Sequence, residues 1–87
     1  MERHEVYGLI EDERYYQDHA RKDNERETRS DSEKSVADFI LYIEHTLNRA
    51  KLAIYQLDEL EAMANIRKLT ALGVAAMETH ETPPRTS

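Results

Sequence analysis

No cysteine or tryptophan occurs in this sequence, and glycine and proline appear only twice each. Without cysteine, neither a disulfide framework nor a thiolate metal site can brace the fold. The two glycines, Gly8 and Gly73, stand far apart. A phosphate-cradling glycine loop or a dinucleotide fingerprint therefore cannot be built. The prolines, Pro83 and Pro84, sit together near the C-terminal end, so nothing before them breaks a helix by lacking its N–H. Long apolar runs are missing too. The stretch Ala71 to Met77 is far too short to cross a bilayer, and no apolar segment of a signal peptide follows the charged start Met1-Glu-Arg-His-Glu5. These absences lead us to expect a cytosolic chain without membrane contact. At 87 residues it is read as one domain over 1–87, with a modest core that needs good packing or further copies of itself.

Clustered positive charge is also lacking. Twelve basic residues face 18 acidic ones for a net charge of −6, which disfavours the phosphate neutralisation behind direct nucleic-acid binding. Arg14, Arg21, Lys22, Arg26, Arg29 and Lys34 do fall in one stretch, but acids interleave with them, as in a solvated, salt-laced segment.

What is present is helical periodicity. Val6, Leu9, Ile10 and Tyr16 predict a first helix over about 2–18, weakened by Gly8. Residues 19–34 offer only Ala20 to a core and read as a loop or a frayed extension of that helix. Val36, Phe39/Ile40, Ile43, Leu47, Ala50 and Ile54 step by threes and fours and predict a second helix over about 35–56, with Ser35 and Asp38 as a capping box. A third, over about 58–79, has Asp58 and Glu61 as its cap signature and Leu60, Met63, Ile66/Arg67, Thr70, Val74 and Met77 as its stripe. Residues 80–87 form a tail. A tight link near Gln56–Leu57 makes helices two and three an antiparallel hairpin, sealed along those stripes. The expected architecture is all-α: that hairpin plus a shorter N-terminal helix, completed as a bundle by oligomerisation. Leu41, Tyr42, His45, Leu52 and Tyr55 on the second helix, with Leu69, Leu72, Gly73 and Ala76 on the third, are the candidate interface between copies, because they remain in need of cover.

Chemistry is thinly represented. The serines (Ser30, Ser32, Ser35, Ser87) lie in polar or capping positions without a nucleophile elbow. No two of His4, His19, His45 and His80 have the i, i+4 spacing of a helical zinc site. Acids on facing helices can hold Mg²⁺. Glu11, Asp12, Glu13, Glu44, Asp58, Glu61 and Glu78 are candidates for that role, with Glu44 at the edge of the apolar stripe. Glu44 and Glu61 are the metal candidates, yet Leu47 and Asn48 stand where the partner acid of Glu44 should be, and Ala64 and Asn65 where that of Glu61 should be.

Three stretches carry a resemblance: Glu13-Arg-Tyr-Tyr-Gln-Asp18, Ser35-Val-Ala-Asp-Phe-Ile-Leu-Tyr-Ile-Glu-His-Thr-Leu47, and Ile66-Arg-Lys-Leu-Thr-Ala-Leu-Gly-Val-Ala-Ala-Met-Glu-Thr-His80 with Pro83-Pro-Arg85. Together they resemble a family of small tailed-bacteriophage proteins similar to MazG-like, all-α nucleoside triphosphate pyrophosphohydrolases. The resemblance implies an oligomeric helical fold in a host bacterial cytosol, with a nucleotide-sized pocket between helices. MazG-type enzymes hold Mg²⁺ with a Glu-x-x-Glu and a Glu-x-x-Asp pair, and this chain keeps at most Glu44 and Glu61. The reading is therefore a binder without enzymatic activity or cofactor, holding a nucleotide or nucleotide-derived signal, for example to sequester a messenger of host immunity. Arg14, Arg67, Lys68 and Arg85 would meet phosphates, and Tyr7, Tyr15 and Tyr16 would stack on a base, with Asp18 and His80 completing the set. One alternative is a Mg²⁺-dependent pyrophosphohydrolase. Another is an acidic protein that presses on a host protein through Glu2, Glu5, Glu11, Asp12 and Glu13.

Overall fold

The computed structural model describes residues 1–23 and 31–86, with the side chains of 20–23 left out. These residues form three α-helices, α1 (Arg3–Asp23), α2 (Val36–Tyr55) and α3 (Glu59–Thr79), and a 3-10 turn at Asp31–Glu33. The fold is all-α, and no described helix is long and apolar enough to cross a membrane.

Local chemistry sets the helix ends. At the start of α2 the Ser35 hydroxyl accepts from the Asp38 N–H at 3.1 Å, and the Asp38 carboxylate accepts from the Ser35 N–H at 2.9 Å. Both arms of the capping box are present. At α3 only one arm forms. The Asp58 carboxylate accepts from the Glu61 N–H at 3.0 Å, while the Asp58 N–H donates to Ala53 O at 2.9 Å. That second bond, with Leu57 N–H to Ile54 O at 3.0 Å, closes α2 in a Schellman motif. Asp58 thus ends one helix and starts the next. The cost falls on Leu57, held at φ 58° where glycine is usual.

α1 runs on to Asp23 rather than ending near Asp18. Extending a formed helix adds one hydrogen bond per residue, and the segment has no breaker. The rest of the expected polar loop, 24–30, including Arg26 and Arg29, lies outside the described residues.

α2 and α3 pack along most of their length, and α1 packs on α3. The seam between α2 and α3 differs from the one the periodicity predicts. Phe39, Thr46, Ala50 and Ala53 are the buried residues of α2, and Ala62, Asn65, Ala71 and Ala75 those of α3. Val36, Ile40, Leu47 and Ile54 stay 52%, 57%, 47% and 53% exposed, as do Met63, Ile66 and Met77 at 58%, 41% and 60%. The reason is steric. Packed helix axes lie about 8–10 Å apart depending on the side chains at the contact, and small ones allow the closest approach; here alanines occupy much of the line of contact and the large residues flank it. At the far end from the turn, His80 Nε2 lies 2.8 Å from Lys34 O and its ring meets Phe39 edge-on at 5.9 Å. A carbonyl only accepts, so Nε2 carries the proton there.

The packing leaves the chain open in shape. Its radius of gyration is 14.0 Å with extents of 42 × 36 × 22 Å, whereas a compact domain of this length has about 12 Å. Among the described residues, Phe39 is the one large apolar side chain that is fully buried.

Candidate functional site

Two features stand out: a charged clamp under α1 and an apolar face along α2 and α3. The clamp centres on Arg14, buried although charged. Its guanidinium reaches Asp18 on its own helix at 3.3 Å, Asp31 of the 3-10 turn at 3.4 Å and Glu78 of α3 at 3.1 Å. Burial alone would lower its pKa. The bond to Glu78 and the charges of Asp18, Glu78 and Asp31 outweigh that and raise it above the ordinary arginine value. Arg14 Nε is buried with no hydrogen-bond partner among the described residues. Beside it, Arg67 Nε donates to the buried Glu13 carboxylate at 2.8 Å, and Gln17 Nε2 donates to Lys68 O at 3.2 Å. Lys34, also buried, pairs with Asp31 at 3.4 Å and lies 5.1 Å from the Tyr42 ring centre.

Of the residues expected to meet a nucleotide, Arg14 and Arg67 are occupied by carboxylates, Asp18 is paired to Arg14, and His80 is stitched to Lys34 O. The half-buried Lys68 is bonded through its carbonyl. Arg85 is exposed in the tail. Tyr7, Tyr15 and Tyr16 are open to solvent at 66%, 67% and 64%, with Tyr15 stacked on His19 at 3.8 Å. α1 turns Glu13, Arg14 and Gln17 to α3, because its apolar residues do not continue as a stripe past Ile10.

Glu44 and Glu61 are both exposed. A carboxylate oxygen of Glu61 accepts from Asn65 Nδ2 at 3.3 Å. No group of three or more His, Asp or Glu side chains among the described residues could hold a metal ion. Neither Glu44 nor Glu61 belongs to such a group among the described residues of one chain.

The apolar face is the feature that periodicity misassigned. Val36, Ile40, Ile43, Leu47, Ala50 and Ile54 on α2 alternate steps of four and three, and Glu59, Met63, Ile66, Thr70, Gly73 and Met77 do so on α3. That 3.5-residue repeat is the pattern of a helix facing a partner helix. Near the turn the two rows enclose an open groove of about 530 Å³, walled by Leu47, Ile54, Met63 and Ile66, with the buried Ala50 and Ala62 among its lining. Lys51 and Glu59 edge it, one from each helix. Among the residues expected at an interface, Leu41, His45, Leu52 and Tyr55 are exposed, whereas Tyr42, Leu69, Leu72, Gly73 and Ala76 are half-buried within the chain.

No family model matches the chain, and neither a curated protein nor a solved structure shows significant similarity to it.

Proposed function

We propose that the protein is a non-enzymatic, self-associating helical binding protein, in which α2 and α3 act as a hairpin that a second copy completes into a four-helix bundle. The observation that carries this reading is the pair of 3.5-residue rows flanking one groove, whose Val36, Ile40, Leu47 and Ile54 on α2 and Met63, Ile66 and Met77 on α3 are exposed. Leaving such side chains wet forfeits on the order of 1.5–3 kcal/mol for each one that burial would cover. An area estimate supports a second copy as the cover. A two-helix face about 30 Å long and about 20 Å wide has a footprint of about 600 Å². That is comparable with the roughly 800 Å² per partner of a stable interface. The test is the mass in solution by light scattering and sedimentation. We expect a dimer or a multiple of it, reduced to monomer by Leu47→Glu or Ile66→Glu with helicity retained. A wild-type monomer at high concentration would end the proposal.

A second reading is binding of a nucleotide-type ligand, for which the support is the exposure of Tyr7, Tyr15 and Tyr16 on the helix that carries Arg14. A phosphate there would have to exchange places with the carboxylates of Asp18, Asp31 or Glu78. Thermal shift against mono-, tri- and cyclic dinucleotides tests it, since a ligand at 100 times its Kd adds about 2.7 kcal/mol. A shift confined to Mg²⁺ with release of pyrophosphate would favour the hydrolase instead. The absence of any shift would count against this reading.

A further inference from the structure

The geometry points to one particular docking of two copies: both turns at the same end of the bundle, with α2 of each copy lying over α3 of the other. This inference rests on the self-association proposed above and specifies its partner and register.

Two face-to-face stackings of a two-helix layer are compatible with twofold symmetry. In one, the axis runs along the helices and α2 faces the partner's α3 at matching distances from the turns. In the other, the axis crosses the helices, α2 faces α2, and the turns lie at opposite ends. Size and charge along the rows distinguish them. At 1.5 Å rise per residue, Ile40 and Ile43 lie about 24 and 20 Å from the turn, and Gly73 and Thr70 about 22 and 18 Å. Same-end stacking therefore sets the two isoleucines of one copy against the small pair of the other. An added Cβ on Gly73 would meet nothing within 4 Å inside the chain, so the hollow there is open for a partner's side chain. Nearer the turn, Leu47 comes level with Ile66 across the interface, Lys51 with Met63, and Ile54 with Glu59.

Charge makes the same choice. Lys51 and Glu59 both line the groove, and no ion pair joins either to another described residue. They lie about 8 and 2 Å from the turn, within reach of one another across a same-end interface. Twofold symmetry makes that pair twice. Opposite-end stacking instead puts Lys51 and the partner's Glu59 at opposite ends of the bundle, so that pair cannot form.

The chain has no cysteine, so a single spin label at Gln56→Cys reports one intermolecular distance without background. In a preparation shown to be dimeric, we expect a separation of about 20 Å between the labels of same-end turns. A separation beyond about 35 Å in a confirmed dimer would overturn the docking and leave self-association intact. A monomeric protein would overturn both. Charge exchange supplies the second arm. Lys51→Glu should weaken dimerisation by about tenfold, and adding Glu59→Lys to it should restore the wild-type affinity. If the double variant is no tighter than Lys51→Glu alone, the cross-interface pair does not exist and the docking falls.

Discussion

Against α3, α2 contributes a phenylalanine and a line of small residues, whereas α1 contributes an arginine, a glutamate and a glutamine. The two contacts therefore respond to different forces. Burying Phe39 and the seam alanines removes apolar surface from water, which is non-directional and insensitive to salt. The α1 contact is made of Arg14–Glu78, Glu13–Arg67 and Gln17–Lys68 O, each exchanging water for a protein partner at a net gain of about 1 kcal/mol. A small protein with one helix attached chiefly by polar bonds is expected to open there first.

The largest break in this contrast should come from Phe39→Ala, at about 3–5 kcal/mol in urea unfolding followed by circular dichroism. A loss under about 1 kcal/mol would mean that the seam does not organise the fold. Arg14→Met keeps the stem's bulk but removes the bonds to Asp18, Asp31 and Glu78. We expect about 1–2 kcal/mol, well below the cost of breaking a dry ion pair, because Asp18 and Glu78 are half exposed. Hydrogen exchange should then show α1 amides losing protection while α2 and α3 keep theirs. Equal loss in all three helices would dissolve the distinction.

Leu57→Gly probes the link between α2 and α3 with the opposite sign. Relieving a left-handed leucine should stabilise the protein by about 1 kcal/mol, since Leu57 is 91% exposed and gives up little packing. A destabilised variant would show that Leu57 is covered in solution. Raising NaCl from about 0.05 M to about 1 M should weaken α1 docking by under about 1 kcal/mol and leave α2–α3 protection unchanged. The smallest effect concerns alkali. The pKa of Arg14 is raised in the fold, so its contribution is complete below the ordinary arginine value and is lost only as pH rises past the folded one. Protection of α1 attributable to this group should stay constant from neutrality to about pH 10.

Much of the helix layout was legible from short-range signals. Ser35 with Asp38 places the start of α2, and Asp58 the start of α3, because a capping side chain bonds a backbone N–H two or three residues away and needs nothing else. The turn at Gln56–Leu57 followed from the lack of room for more. The clamp was only half visible. Arg14 and Arg67 were singled out as cations, but for a phosphate. Asp18 is a local partner of Arg14, but Glu78 lies 64 residues from Arg14 and Glu13 lies 54 from Arg67, pairings no local pattern encodes. Glu13 was one acid among many in the sequence and became a buried one only once α1 met α3.

The assignment of faces shows where local reading ends. α2 carries two apolar arcs side by side, one with Phe39 and the alanines, the other with Val36, Ile40, Leu47 and Ile54, and periodicity merges them into one broad stripe. Composition and spacing were enough to specify three helices, their caps and their excess of apolar surface, because these depend on neighbours along the chain. Which arc turns inward depends on how closely two helix axes can approach. That distance is set by the smallest side chains on both helices at once, so folding put alanine at the seam and left the larger residues facing outward.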